Sequence, residues 1–147
     1  MDNQDYSEFW LANNANSYDN KNKPWHKDRI DAVVNAIPEN VSVVDLACGN
    51  GEITNHIYTR RNPSRIVGYE LGQKAVDYCS INYPSIDYFQ GDVLDMPFKK
   101  DEFEWAHAGE VIEHLGNPEQ LIKVYRILSA RGRLSLPLPF LWMIRNI

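Results

Sequence analysis

A loop with two glycines, placed directly after a short β-branched run, constrains the fold more than any other feature of the sequence. Residues 41–46 are rich in Val and predict a buried strand, and Gly49 and Gly51 then lead into a helix that extends to about Arg61. Glycine lets a ligand approach the main chain closely, and the first turn of a helix offers unpaired N–H groups. The sequence therefore predicts a ligand site where this strand passes into this helix.

Strand and helix patterns alternate along the rest of the chain. The alternation predicts an α/β fold with a Rossmann-like, doubly wound, mostly parallel sheet of about five strands and helices on both faces. Before the first strand, Ile30, Val33, Val34 and Ile37 recur at helical spacing until Pro38 ends the run. The other expected strands are 65–70, 86–90, 102–108 and 133–136, the last after a turn at Gly132, and the other expected helices are 73–82 and 118–129.

The length of 147 residues fits a single domain. We expect a helical N-terminal arm at residues 1–40, a cofactor-binding core at 41–139 and an apolar tail at 140–147. The first residues carry neither a basic region nor an apolar run, and no apolar stretch approaches the roughly 20 residues of a membrane span, so neither a secretory signal nor a membrane partner is expected. Cys48 and Cys79 show no metal-binding or redox spacing and fit a cytoplasmic location.

Charge is distributed unevenly along the chain. Residues 120–147 carry five basic and no acidic side chains, whereas residues 1–119 carry 10 basic and 20 acidic ones. An anionic body repels polyphosphate, which argues against general nucleic-acid binding.

Acidic residues end or follow three of the predicted strands. Glu70 ends the second strand, where a carboxylate can accept both hydroxyls of a ribose, and Asp92 follows the third, where it can accept from the amine of a base. Thr54 stands where a dinucleotide-binding loop needs a third small residue. Asp45 would repel a pyrophosphate but suits an ammonium or a sulfonium. The pattern favours a cationic nucleoside cofactor, with a nicotinamide dinucleotide as the alternative.

Four motifs occur in order within residues 41–139: Val-Val-Asp-Leu-Ala-Cys-Gly-Asn-Gly, Val-Gly-Tyr-Glu, Gly-Asp-Val-Leu-Asp-Met-Pro-Phe and Gly-Glu-Val-Ile-Glu-His-Leu. Together they resemble the class I S-adenosylmethionine-dependent methyltransferases, in particular the small-molecule and quinone-type subgroup. The family fold has seven strands, so we expect the chain to be short at its C-terminal edge. Ala47 stands where the family commonly has glycine and is expected to tighten the loop.

The resemblance implies a binding site for S-adenosyl-L-methionine. Asp45 with the two glycines, Gly49 and Gly51, is expected around the methionine part, Glu70 at the ribose and Asp92 at the adenine. The full set of expected cofactor contacts is Asp45, Ala47, Gly49, Gly51, Glu70, Leu71, Asp92, Val93, Gly109 and Glu110.

A second group of candidate residues follows the fourth strand. Glu110, Glu113 and His114 stand at i, i+3 and i+4, on one face if the segment is helical. The segment resembles the metal-binding Glu-x-x-Glu-His of the small-RNA terminal 2′-O-methyltransferases, but no histidine follows His114 here. We therefore assign no metal site and treat the three residues as weak metal candidates. They are also the candidates for catalytic contact with the acceptor or for a general base.

Other residues that carry chemistry are given plainer roles. The aromatic residues of the arm are candidates for covering the cofactor, although packing is the simpler role. They are Tyr6, Trp10, Tyr18 and Trp25. His107 is interpreted as an interior residue of the fourth strand, His26 and His56 as ordinary partly exposed residues, and Cys48 as a small loop filler.

The expected function is the transfer of a methyl group from S-adenosyl-L-methionine to a small-molecule acceptor, with the protein mainly aligning the two. Two alternatives stay open. One is a cofactor-binding methyltransferase-like module that is truncated, inactive or dependent on a partner. The other is a metal-assisted RNA terminal 2′-O-methyltransferase. The apolar C-terminal segment also suggests a homodimer through that edge.

Overall fold

The computed structural model describes residues 24–109, 111 and 126–135. Helices and strands alternate in it from α1 to β3, and β4 and β5 follow. The helices are α1 (Pro24–Ala36), α2 (Glu52–Arg61) and α3 (Gln73–Asn82), and the strands are β1 (Ser42–Leu46), β2 (Arg65–Glu70), β3 (Asp87–Gln90), β4 (Phe103–His107) and β5 (Leu128–Ser135). The structure confirms the expected arm helix, the first four strands and the two helices between them. Where the sequence predicted an end of an element, the observed end lies within one or two residues of it.

The five strands form one parallel sheet in the order β3-β2-β1-β4-β5. The predicted Rossmann-like α/β fold is therefore confirmed. The chain builds outward from β1 in one direction through β2 and β3 and in the other through β4 and β5. In open sheets of this kind, ligands bind beyond the carboxyl ends of the strands at the point where the order reverses. That point lies here between β1 and β4.

Apolar side chains cover both faces of the sheet, because successive residues of a strand point to opposite sides. Val43 belongs to a buried cluster with Ile30, Ile57 and Trp105, which α1 and α2 cover. Val44, the next residue, belongs to a cluster on the other face. Because of this alternation, Asp45 points to the same face as Val43, which is the face on which α1 and α2 pack.

The last part of the described chain differs from the sequence prediction. The helix expected to reach residue 129 ends earlier, because β5 begins at Leu128, and Gly132 lies inside β5 rather than in a turn before it. Ile127 and Leu128 are buried against the sheet, and the Ile127 carbonyl accepts the N–H of Phe103 at 2.9 Å. Burial of these two side chains beside Phe103 overrides their helical spacing. The register shifts between the Phe103 and Trp105 pairings, so the strand is irregular around Gly132.

Several expectations lie outside the described residues. These are the arm before residue 24, most of the helix expected at 118–129, the apolar tail at 140–147, and the side chains Glu110, Glu113 and His114. Within the described part of the chain, no helix combines the length and the apolar character needed to cross a bilayer.

Candidate cofactor site

The glycine loop (residues 47–51) leaves β1 through three left-handed residues. Ala47, Gly49 and Gly51 have φ angles of 53°, 56° and 71°. The N–H of Gly51 donates to the Cys48 carbonyl at 2.9 Å, which closes the loop just before α2 begins. Left-handed backbone is accessible to glycine without steric cost, whereas a residue with a Cβ is strained there. The Ala47 departure therefore places a methyl group at a strained position of a tight loop.

The two glycines of the loop serve different purposes. A Cβ on Gly51 would lie 2.9 Å from both Cys79 Sγ and Tyr88 Oη, so this position is closed by the protein itself. A Cβ on Gly49 would meet nothing within 4 Å. Gly51 is required for packing, and Gly49 leaves open space beside the main chain, which is the property a ligand needs.

Glu70 stabilises the glycine loop through hydrogen bonds to the main chain. Its side chain is 1% exposed, and its two oxygens accept the N–H groups of Gly49 at 2.9 Å and Gly72 at 3.0 Å. A carboxylate oxygen has room for a second hydrogen bond, so this arrangement leaves acceptor capacity. Binding of a ribose by Glu70 stays a prediction.

Asp92 follows β3, the strand next to β2, which ends at Glu70. The N–H of Gly91 donates to the Glu70 carbonyl at 2.9 Å, so the main chain brings the two predicted acids close together. The Asp92 side chain is exposed and accepts the N–H of Leu94 at 2.8 Å. Its expected contact with an adenine also stays a prediction.

A pocket of about 240 Å³ opens at the carboxyl ends of β1 and β4. We call it the β1–β4 pocket. It is lined by Trp25, His26, Arg29, Asp45, Ala47, Cys48, Gly49, Asn50, Glu52, Ile53, His107 and Gly109. The predicted cofactor contacts Asp45, Ala47, Gly49 and Gly109 are among them. The other described contacts, Gly51, Glu70, Leu71, Asp92 and Val93, do not line this pocket.

Asp45 is the buried acid of the pocket. It is 2% exposed, and its Oδ2 accepts the hydroxyl of Thr54 at 2.6 Å. Burial raises the pKa of Asp45 to about 7; the Thr54 hydrogen bond opposes this shift, the Glu70 charge adds to it and the Arg29 charge opposes it. A carboxyl group with such a pKa gains its charge when a cation binds beside it.

His107 is the main functional candidate that the sequence analysis underestimated. It belongs to β4, as expected, but as the last residue of the strand, and its ring lines the pocket and is 3% exposed. Its Nδ1 lies 3.0 Å from Ser135 Oγ, while its Nε2 has no hydrogen-bond partner among the described residues. Burial, followed by the Arg29 charge, lowers the pKa of His107 to about 4, so the ring is neutral at physiological pH.

The first turn of α1 forms the wall of the pocket opposite the strands. His26 Nε2 lies 3.1 Å from Glu52 Oε2, which ties α1 to the start of α2. The Trp25 ring packs edge-on against His26 at 5.9 Å and is 52% exposed at the mouth. His26 is partly exposed, as the sequence predicted, and it also lines the pocket. Pro24 at the first helical position was the available signal, because it fixes where α1 begins and therefore which residues face the strand ends.

One cysteine, Cys48, belongs to the glycine loop, and the other, Cys79, packs against that loop from α3. Both are buried and free, and Cys79 Sγ donates to the Gly49 carbonyl at 3.3 Å. A hydrogen bond with Cys79 and then burial hold the pKa of the Cys48 thiol well above its usual range. Cys48 is therefore a protonated packing residue, which agrees with its interpretation as a loop filler.

Comparison with known proteins identifies the family. The family model described as "Methyltransferase domain" matches residues 44–136, which is more than half of the chain. An uncharacterised methyltransferase of Synechocystis is 32% identical over 105 residues, covering 69% of this chain and 48% of that protein. The 2-phytyl-1,4-naphtoquinone methyltransferase of Thermosynechococcus vestitus is 28% identical, covering 68% of this chain and 47% of that protein.

A solved structure has the same fold. The TehB-like SAM-dependent methyltransferase of Corynebacterium glutamicum superposes with a TM-score of 0.70 at 22% identity, covering 90% of this chain and 72% of that one. The chain spans about half the length of the curated relatives it matches. From its family match and its fold, the chain belongs to the methyltransferase domain family and has the architecture of the class I S-adenosylmethionine-dependent enzymes.

Proposed function

We propose that this domain binds S-adenosyl-L-methionine, with the methionine part in the β1–β4 pocket, and that it transfers the methyl group to a small-molecule acceptor. The observation that carries the proposal is the buried Asp45 carboxyl, which lies in an open pocket at the reversal of strand order beside the accessible main chain of Gly49. A buried acid with a strongly raised pKa that lies in a cleft is a candidate for ligand binding.

The residues present fit the cofactor group by group. The methionine end carries an ammonium and a carboxylate, and the pocket offers the Asp45 carboxyl and the Arg29 guanidinium. Glu70 retains acceptor capacity for a ribose diol, and Asp92 follows the neighbouring strand, where an adenine amine is expected. The bound cofactor supplies a methyl group already activated by a sulfonium. The protein has to hold it, exclude water and align the acceptor.

A small-molecule acceptor is supported by the resemblance to quinone-type enzymes and by the relative named as a naphthoquinone methyltransferase. The acidic character of residues 1–119 also disfavours a polyanionic acceptor. Glu110, Glu113 and His114 remain the proposed contacts with the acceptor. They lie outside the described residues, so their proposed roles rest on the sequence alone.

Calorimetry separates this proposal from the dinucleotide alternative. The chain should bind S-adenosylhomocysteine and ignore NAD, and Asp45→Asn should weaken the binding at least tenfold. Asp87→Asn, an exposed change on β3, is the matched control and should leave the affinity unaltered. Binding of NAD with no binding of S-adenosylhomocysteine would overturn the proposal.

Turnover needs a separate test, because the chain spans about half the length of its relatives. Incubation with S-adenosyl-L-methionine and a panel of quinols, phenols and short RNAs should produce S-adenosylhomocysteine only with a small-molecule acceptor. Tight cofactor binding with no product from any acceptor would favour the alternative, a binding module that depends on a partner.

A further inference from the structure

We propose that His107 is a ligand-binding residue, whose Nε2 accepts a hydrogen bond from the ammonium of an amino-acid group held beside Asp45. The inference rests on the proposed function and adds a second acceptor for the methionine end of the cofactor. Five observations carry it: the strand register, the hydrogen bonds of the ring, its unpaired nitrogen, the glycine beside that nitrogen and the charge of the surroundings.

The register of the sheet brings His107 and Asp45 together. Asp45 of β1 pairs with His107 of β4, and paired residues of neighbouring parallel strands point to the same face. Both side chains line the β1–β4 pocket, and both are almost fully buried. A ligand group that reaches one of them is therefore beside the other.

The hydrogen bonds around Ser135 are compatible with a proton on Nδ1 of His107, and we adopt this tautomer. The Ser135 hydroxyl lies 3.1 Å from Trp105 Nε1, 3.4 Å from the Ala106 carbonyl and 3.0 Å from His107 Nδ1. The indole N–H only donates and the carbonyl only accepts, and we assign the single hydroxyl proton to the Ala106 carbonyl. The hydroxyl can then only accept from His107. Nδ1 consequently carries the proton, and Nε2 presents a lone pair.

The lone pair of Nε2 has no partner among the described residues, although the ring is buried. Leaving a buried acceptor unpaired is energetically unfavourable, so this unpaired nitrogen is a candidate for ligand binding. Gly109 keeps the approach open, because a Cβ there would lie 2.7 Å from Nε2. Any other residue at position 109 would therefore press against the ring.

The surroundings select a positively charged donor. Arg29 of α1 faces the His107 ring. Burial of the ring, and to a lesser extent the Arg29 charge, keep the imidazole neutral, so the imidazole does not repel a cation. From β1, the Asp45 carboxyl becomes available as a counter-charge, with Thr54 of α2 holding its other side. An ammonium has three N–H donors, enough for Asp45, His107 and one further acceptor. The carboxylate of the same amino-acid group would be free to meet Arg29.

A ligand pair isolates this contact. S-adenosylhomocysteine carries the ammonium, whereas 5′-methylthioadenosine lacks the amino-acid end but keeps the nucleoside. In titration calorimetry at pH 8, His107→Leu should weaken S-adenosylhomocysteine about tenfold and leave 5′-methylthioadenosine within twofold. His107→Gln, whose amide oxygen can replace the lone pair, should restore most of the lost affinity.

The outcomes separate the possible failures. Equal losses for both ligands would show a merely structural role for His107, and no loss for either would show no role; each overturns the inference while leaving the proposed function intact. A wild-type chain that binds neither ligand overturns the proposed function and the inference together.

Nuclear magnetic resonance of the wild-type chain provides a test that needs no folded variant. Long-range ¹H–¹⁵N correlations of the His107 ring should show the proton on Nδ1. S-adenosylhomocysteine should shift the Nε2 resonance, and 5′-methylthioadenosine should not. A proton on Nε2 in the free protein, or equal shifts with both ligands, would contradict the inference.

Discussion

Asp45 and His107, register partners in β1 and β4, have pKa values shifted in opposite directions by the same cause. Burial raises the pKa of Asp45 to about 7 and lowers that of His107 to about 4. Between these values the favoured forms of both groups are uncharged, so the protein avoids burying a charge at this pair of positions. An ammonium placed between them changes this balance, because it stabilises the Asp45 carboxylate.

The two groups should affect stability with opposite dependence on pH. Protonated Asp45 favours the folded state fully below about pH 4, and this contribution is lost as pH rises through about 7. Neutral His107 favours the folded state fully above about pH 6.5, and this contribution is lost as pH falls through about 4. Each slope is about 1.4 kcal/mol per pH unit, so the two nearly cancel between pH 4 and 6.5.

Single variants should reveal these hidden slopes. Relative to wild type, the free energy of unfolding of Asp45→Asn should rise with pH from 4 to 7, and that of His107→Gln should fall from pH 4 to 6.5. Urea unfolding at half-unit pH intervals measures both, and each variant serves as the control for the other. Curves that run parallel to wild type would contradict the assigned shifts.

Ligand affinity should depend on pH through Asp45. Because an ammonium needs the ionised carboxylate, the affinity for S-adenosylhomocysteine should rise as pH increases from 6 to 8 and level off above it. In Asp45→Asn the affinity should be low and flat over this range. Calorimetry in two buffers of different ionisation enthalpy should also detect proton release on binding near pH 6.5, and its absence in wild type would be inconsistent with a raised pKa.

The two loop glycines should respond differently to alanine. Gly49→Ala should cost about 1–2 kcal/mol of stability, the price of left-handed backbone, and should weaken S-adenosylhomocysteine more than tenfold, because its methyl group enters the open space. Gly51→Ala should destabilise the fold further, since its methyl group meets Cys79 and Tyr88. Chemical unfolding and calorimetry measure the two effects. Equal unfolding free energies for the two variants would count against the distinction.

Replacing Ala47 with glycine should stabilise the folded protein. At a φ of 53° the alanine is strained, so Ala47→Gly should raise the free energy of unfolding by about 0.5–1 kcal/mol. Ala75→Gly is the control: it lies inside α3, where glycine should destabilise the protein by about 1 kcal/mol. A loss of stability at position 47 would show that its methyl packing outweighs the strain.

The sequence predicted the secondary structure correctly where local patterns determine it. The β-branched run before the glycine loop predicted β1, and the strand pattern of residues 65–70 predicted β2, because strand periodicity and turn residues act locally. Leu128 could not be placed correctly, since its burial beside Phe103 is a tertiary contact that its helical spacing conceals. His107 was underestimated for a related reason: its Ser135 partner lies 28 positions away, and only the sheet register brings them together.

Glu70 bridges two loops, and this bridge should couple the binding of the two halves of the proposed ligand. One carboxylate joins the main chain at Gly49, on the side proposed for the methionine part, to Gly72, on the side proposed for the nucleoside. We expect that ordering either loop helps to fix the other, so that binding of one half of the proposed ligand favours binding of the other half. We expect adenosine and methionine, added as separate fragments, to bind cooperatively, and Glu70→Gln to remove that cooperativity before it removes binding.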